Sequence, residues 1–495
     1  MNIALVLLAL GGILLIESVM LLFCLAFSFF TESYAVSDFS WPMLWLECLI
    51  PTLLSACILI FMGRKADREH FFRREAFAIV SLGWLVSGLY AALPYAISPL
   101  GIPVWDALFE SYSGLTTTGA TIFTDLNQLP DSLILWRSIT QWMGGLGIVI
   151  LFVAVLGFFG IGNKALFNRE TSALADSDMG TRFQSLSFKY LLIYIGITVV
   201  GIIGLVICGL TPFNAINHTM AAVSTGGFSP HNESVAYYPQ LSVHLWLTLI
   251  MLAGGVAFPV HYILWIQKRI GFIKRNEEFK AYFCIIFLVT SIIALDLLFY
   301  WPDRTASTTQ TLVDSLFQTV SIMTTTGFAT ANFDVWPPLS KFLLLGVMFI
   351  GGCAGSTAGG IKVSRFIVFA KAARRHLQLV QRPHLVSKLR LNGKVLSEDA
   401  IQGVIIFMAF YFVLLLIGIL GLALLEPNLK LTSTLSAVIA CLNNIGPGLG
   451  QVGPTENFAL FNPAGKMWLA AFMLIGRLEI YAVLLLLMPS FWKKF

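Results

Sequence analysis

The chain has 495 residues, 57% of them hydrophobic and only 12% charged, with a formal net charge of +5. A soluble domain carries roughly twice that charged fraction, which excludes the soluble globular and disordered classes and leaves a polytopic membrane protein. The length fits about ten apolar spans of about 20 residues each.

In chain order, spans are expected over residues 4–30, 41–62, 76–98, 135–160, 190–210, 241–267, 281–301, 340–371, 402–425 and 467–489. The first is too long for a signal-peptide core and has no basic stretch before it, so it reads as a retained helix. The basic residues gather in alternate connectors. These hold Arg64, Lys65, Arg68, Arg73 and Arg74; then Lys164, Arg169, Arg182 and Lys189; then Lys268, Arg269, Lys274, Arg275 and Lys280. The run from Lys362 to Lys394 and the terminal Lys493 and Lys494 complete the set. The positive-inside rule makes that side, with both termini, cytoplasmic. The positive net charge follows from this asymmetry and gives no reason to expect nucleic acid. The seven cysteines show no CxxC or metal spacing and read as small buried apolar residues.

Four segments, 104–119, 212–226, 312–327 and 432–446, are too short or too polar to span, and all fall on the outer side. They end in related words: LTTTGAT at Gly119, VSTGGFS at Gly226, MTTTGFA at Gly327 and LNNIGPG at Gly446. DALFESYSGLTTTG and DSLFQTVSIMTTTG, ending at Gly119 and Gly327, are close copies. Each following span carries a small-residue pair: Gly144-Gly145, Gly254-Gly255, Gly351-Gly352 and, in the last, Gly476-Arg477. The unit is span, short helix, Thr-Gly loop, span, repeated in one orientation. The expected fold is therefore an all-α polytopic membrane protein. Four channel-like repeats, at 76–160, 190–267, 281–371 and 402–489, form a pseudo-fourfold arrangement behind an N-terminal hairpin at 1–63. Asp106 and Asp314 are expected to cap their short helices.

Non-helical backbone at membrane depth is tolerated only where protein buries it or a watery cavity adjoins it. Glycine there can take positive φ. Threonine is expected to keep the backbone extended and to add a hydroxyl oxygen. Four such loops around one axis make rings of carbonyl oxygens that replace the hydration shell of a monovalent cation. The expected filter residues are Thr117, Thr118 and Gly119; Ser224, Thr225 and Gly226; Thr325, Thr326 and Gly327; and Asn444, Ile445 and Gly446.

Residues 351–360, GGCAGSTAGG, interrupt the span 340–371 with five glycines and no large side chain. Each glycine costs a helix about 1 kcal/mol relative to alanine, so an unwound loop is expected beneath the filter. Its candidate gate residues are Gly351, Gly352, Gly355, Ser356, Thr357, Gly359 and Gly360. Arg477 occupies the register that is glycine in the other repeats. A guanidinium at that depth needs water or a partner, and its register points it at the pore, where it would repel cations. Glu479 is the nearest acid in sequence. Glu17 and Asp296, in or near apolar spans, read as structurally paired carboxylates, with proton coupling the alternative. Gly448, Gly450 and Gly453 match GxGxxG, but no strand precedes them, so no dinucleotide site is read there.

The words SGLTTTGAT, QWMGGLG, STGGFS, FIGGCAGSTAGG, LNNIGPGLG and LIGRLEIY together resemble the TrkH/TrkG family, the transmembrane subunits of Trk-type potassium uptake systems. One departure is Ala358, where many members have glycine. The resemblance implies potassium as the transported ion, passing through one central pore of the cytoplasmic (inner) membrane. It implies that residues 351–360 obstruct the pore and move to open it. It also implies a homodimer and a cytoplasmic nucleotide-binding (NAD or ATP) ring subunit of the TrkA type, with no cofactor on this chain and no enzymatic activity. Glycine at Gly119 matches the potassium-selective pattern, where serine is associated with sodium permeation. A sodium-permeable or proton-coupled symporter of the same fold is the alternative.

Overall fold

The protein is described from a computed structural model over residues 2–32, 40–66, 73–159, 179–300, 307–384 and 387–492. Arg68, Lys164, Arg169, Lys493 and Lys494 lie outside these residues. The described chain is helical, with one small antiparallel hairpin, β1 (Arg390–Leu391) and β2 (Lys394–Val395).

The apolar helices α1 (Ile3–Thr31) and α2 (Trp41–Gly63) pack as an N-terminal pair. Their backbones approach closely because the contact is made of glycine. A Cβ on Gly63 would lie 2.7 Å from the Ala4 carbonyl oxygen and 2.5 Å from the Leu8 amide. In an apolar solvent such small-residue contacts, rather than hydrophobic burial, hold helices together.

The first repeat comprises α3 (Arg73–Ala91), the short α4 (Leu93–Ile97), α5 (Val104–Leu115) and α6 (Asp131–Phe159). The second has α7 (Met179–Ile207), α8 (Pro212–Val223), α9 (Leu241–Gly255) and α10 (Phe258–His261). The third has α11 (Glu277–Tyr300), α12 (Thr308–Met323), α13 (Pro338–Met348) and α14 (Val363–Gln381). The fourth has α15 (Glu398–Leu425), α16 (Leu431–Asn443), α17 (Pro463–Arg477) and α18 (Tyr481–Leu487), followed by α19 (Pro489–Trp492). Among the described residues, six helices are long and apolar enough to cross a membrane, or up to eight if each sharply bent pair counts as one span. The other two of the ten expected spans correspond to α6 and to the interrupted pair α13–α14.

Helix starts follow from side-chain caps. Thr211 accepts the Asn214 amide with Pro212 opening α8, and Asn462 accepts the Gly465 amide with Pro463 opening α17. Ser307 caps α12, so that helix begins earlier than expected. Asp314 therefore lies inside it and accepts from Gln310 Nε2 at 2.9 Å instead of capping. Asp106 does lie in the first turn of α5, but it also pairs with Lys466 of α17 at 2.6 Å, tying the first repeat to the fourth. Asp296 accepts the Ser340 amide (3.1 Å) and hydroxyl (2.6 Å), closing the start of α13.

The spans expected at 241–267 and 467–489 are not straight. Helix α9 meets the helical segment Phe258–Ile266, which α10 opens, at 101°, and α17 meets α18 at 115°. Both break directly after the small-residue pair, and α13 stops just before its own. Only α6 runs through Gly144-Gly145 unbroken. Hydropathy reads the apolar run on both sides of a break and cannot see the break.

Gly63→Leu should force α1 and α2 apart, an overpacking cost of about 1–3 kcal/mol, and lower the melting temperature of detergent-solubilised protein. Gly12→Leu, where a Cβ meets nothing within 4 Å, should leave it unchanged.

Candidate functional site

The four short helices α5, α8, α12 and α16 end in one geometry. Just beyond each, a residue turns left-handed: Thr117 (φ 53°), Thr225 (56°), Thr325 (57°) and Asn444 (57°). The next amide then reaches back into the helix: Thr118 to Ser113 (2.9 Å), Gly226 to Ala221 (2.7 Å), Thr326 to Ser321 (2.8 Å) and Ile445 to Ala440 (2.9 Å). Such left-handed caps satisfy the last carbonyls and send the chain sharply away. The position is normally glycine. A β-branched residue there is strained, at a cost on the order of 1–3 kcal/mol. Threonine was expected to be extended; three times it is held left-handed instead, with its side chain directed by the cap.

The same bonds set the register. Gly119, Gly227, Gly327 and Gly446 are the matching left-handed glycines, at φ 81°, 80°, 83° and 93°. The alignment on Gly226 is thus one residue out. Gly226 takes the place of Thr118, Thr326 and Ile445, while Ser224 takes the helix-closing place of Thr116. Two adjacent glycines leave this choice open in sequence, and the backbone makes it.

The loops close into a ring. A Cβ on Gly119 would run into the Gly226 carbonyl oxygen, one on Gly227 into that of Thr326, and one on Gly327 into that of Ile445. A Cβ on Gly446 would lie 2.6 Å from the Thr118 carbonyl oxygen, which returns the circuit to the first loop. Outside the ring opens a vestibule lined by all four glycines. The outer arms of the first two loops are cross-tied there. Asn232 accepts the Leu126 amide at 2.9 Å and donates to Asp125 at 3.2 Å. The Asn127 amide and the Asn232 carboxamide hold the exposed Asp125 carboxyl below its usual range.

The ring residues are uncharged and buried, except for Gly119, Gly227 and Gly327, which are partly exposed, and they present oxygen. The C-terminal, partially negative ends of four helices face them. No group of three His, Cys, Asp or Glu able to hold a metal occurs among the described residues. The arrangement suits a dehydrated monovalent cation, not a divalent ion that wants carboxylates.

Inside the ring lies the segment between α13 and α14. It unwinds as expected, and its backbone is bonded in place. Cys353 and Thr357 donate their amides to the Gly255 (2.9 Å) and Gly254 (3.2 Å) carbonyls, which the break after α9 leaves free. The Gly355 carbonyl accepts the Phe258 amide at 2.9 Å. Gly351 donates to the Ile361 carbonyl (2.9 Å), and Val363 donates to the Gly352 carbonyl (3.2 Å), which folds the segment back on itself. Two contacts reach the ring loops: Thr357 Oγ1 lies 3.0 Å from the Val223 carbonyl, and the Gly359 amide donates to Thr325 Oγ1 at 2.6 Å. Gly360 is left-handed (φ 64°), and Ser356 is buried beside Gly352.

Arg477 is 2% exposed. It donates to the Thr357 carbonyl at 2.6 Å and to the Gly144 carbonyl at 3.1 Å. One guanidinium thus joins the fourth repeat to the first and to the inserted loop. Its partners are carbonyls and not acids: Glu479 pairs with Arg365 at 2.5 Å.

Several supporting residues escape a pattern reading. Glu278 of α11 accepts the amides of Ala354 (2.7 Å) and Ser364 (3.1 Å), tying the inserted loop to the start of α14. Buried Lys362 donates to the Ala358 carbonyl. Glu110 and Arg137 form a buried pair at 2.9 Å behind the first loop, and Gln141 bonds the second. For Arg137 and Gln141 the available signal is a polar residue at a place that is apolar in the other repeats.

The family model described as cation transport protein, TrkH, matches residues 55–494. The Trk system potassium uptake protein TrkH of Escherichia coli strain K12 is 34% identical over 438 residues, 88% of this chain and 89% of its own length. That of Vibrio parahaemolyticus is 35% identical over 458 residues, 90% and 93% of the two chains. TrkG of Escherichia coli K12 is 31% identical over 424 residues, 85% of this chain and 86% of its own. The crystal structure of the potassium transporter TrkH from Vibrio parahaemolyticus superposes with a TM-score of 0.90 at 32% identity, covering 100% of both chains. The sequence relatives, the family match and the fold agree: the chain belongs to the TrkH family of cation transport proteins.

Proposed function

We propose that this protein carries potassium into the cell across the cytoplasmic (inner) membrane, through the single central pore of its four repeats. It is a transporter, not an enzyme, and needs no cofactor of its own. The observation that carries the reading is the closed circuit of four glycine-to-carbonyl contacts. Carbonyls of Thr117, Thr118 and Gly119 with their counterparts in the other loops, from Thr225 to Gly227, Thr325 to Gly327 and Asn444 to Gly446, strip and replace the ion's water. An inside-negative potential drives entry, worth about 2.3 kcal/mol per charge per 100 mV.

Residues 351–360 and Arg477 form the gate. The loop bonds the filter layer, and Arg477 adds a positive charge and a tether to Thr357, so conduction requires both to move. Both termini lie in the cytoplasm, a reading that the basic connectors support through the positive-inside rule. The stretch from Lys362 to Lys394 offers a docking surface for a nucleotide-binding ring subunit of the TrkA type, and the assembled transporter is a homodimer. Asp296 caps α13, which leaves it less suited to proton symport. Sodium permeation is disfavoured by glycine at Gly119.

In a bacterium lacking its own potassium uptake and supplied with a ring subunit, the protein should restore growth at limiting potassium. Gly119→Ser, whose Cβ meets the second loop, should lose most of that growth. Equal rescue by both would count against the filter. In liposomes, Arg477→Ala should raise potassium flux about tenfold, the factor that 1.4 kcal/mol commands; unchanged flux in a folded variant overturns the gate assignment. Reversal potentials should follow the potassium gradient alone, and a shift with the proton gradient would indicate symport.

A further inference from the structure

The second filter loop is the odd one. Where the first, third and fourth loops carry Thr118, Thr326 and Ile445, it has Gly226, so the wall behind the ring lacks a side chain there. The gap is filled from another repeat. Gln141 of α6 places its carboxamide where a Cβ on Gly226 would stand. Its Nε2 donates to the Gly226 carbonyl at 2.6 Å, and its Oε1 accepts the Phe228 amide at 3.0 Å. One turn earlier, on the same helix face, Arg137 donates to the Ser229 carbonyl at 3.0 Å. Its guanidinium carbon lies 4.1 Å from the centre of the Phe228 ring. Arg137 is held in turn by Glu110 at 2.9 Å and by Thr121 Oγ1 at 3.2 Å.

No other repeat has this face. Counted back from the small-residue pairs, the places of Arg137 and Gln141 are Leu247 and Met251, Leu344 and Met348, and Leu469 and Met473. The polar pair thus occurs only in the helix that adjoins the glycine-glycine loop. Both groups of the Gly226 to Phe228 stretch that it binds lie in or beside the ring. Of the four carbonyls at that level, the one on Gly226 alone is drawn to a side chain among the described residues.

We propose that Arg137 and Gln141 form a clamp that sets the shape of the second filter loop, and that Gln141 is thereby a positioning residue for ion selectivity. This rests on the filter reading above. A glycine pair has the widest backbone freedom of any dipeptide; without the clamp its carbonyl would turn to suit a smaller, more strongly hydrated ion as readily as potassium. The selectivity of the ring is therefore not fourfold in origin. Three loops are held by their own side chains and one by its neighbour.

The test uses the full-length protein in liposomes, with rubidium and sodium tracer uptake and a melting temperature for each variant. Gln141→Met, which installs the residue of the other repeats, should lower the rubidium-to-sodium ratio about tenfold, in keeping with two orphaned backbone groups. Gly226→Thr alone should abolish selective uptake, because its side chain collides with Gln141. Combining Gly226→Thr with Gln141→Ala should recover the ratio to within about threefold of wild type, since the first and third loops already use threonine there. A merely structural role would lower stability and both fluxes together, leaving the ratio intact and giving no recovery in the double variant; that result overturns the clamp. A wild type with no preference for rubidium over sodium overturns the filter reading, and the clamp with it. A selective wild type with an unchanged ratio in Gln141→Met overturns the clamp alone.

Discussion

Backbone that leaves a helix inside an apolar slab has to find a hydrogen-bond partner for every amide and carbonyl or face water. Most of the centre of this protein follows from that requirement. The four ring loops meet it with left-handed caps that send one amide back into each short helix, leaving the other oxygens to line the ring. The breaks after Gly255 and before Gly351 meet it together: the carbonyls freed at the end of α9 accept the amides of the segment between α13 and α14. A straight span in either repeat would leave the other with unpaired groups.

Glycine enters this scheme for contact as much as for conformation. Each left-handed glycine of the ring abuts a carbonyl of the following loop, so the width of the ring is set by backbone against backbone. Such a ring is stiff where its loops are braced from behind. Thr116 and Thr118 brace the first through a 2.8 Å hydroxyl contact, and Thr324 and Thr326 the third at 2.7 Å. Asn444 ties the fourth loop to Thr118 (3.1 Å) and to the Met473 carbonyl (2.9 Å).

Four repeats on one chain can diverge in ways that four identical subunits cannot. The first keeps an unbroken α6 and contributes polar side chains to its neighbour. The third spends its small-residue pair on the unwound segment between α13 and α14. The fourth replaces a glycine with Arg477, whose guanidinium reaches both the first repeat and that loop. The ring loops and the segment between α13 and α14 are therefore one bonded unit, joined at Thr325, Thr357 and Arg477. A movement of α14 has a direct mechanical route to the ring.

The sequence by itself determined the class, the four repeats, the positions of the loops and the unwound segment, because each depends on local composition. Hydropathy marks spans, glycine density breaks a helix, and a repeated word reports a repeated unit whatever its partners. The register of the second loop was beyond it, since Gly226 and Gly227 are chemically identical and only the bond from Gly226 to Ala221 distinguishes them. So were the left-handed threonines, whose intrinsic preference runs the other way and is overruled by the helix ends they close. The bends after Gly255 and Arg477, and the placing of Gln141, Glu278 and Lys362 against backbone far away in the chain, were likewise settled in three dimensions. Their partners lie in other repeats, and a side chain's hydrogen bond across such a distance leaves no mark on the residues next to it.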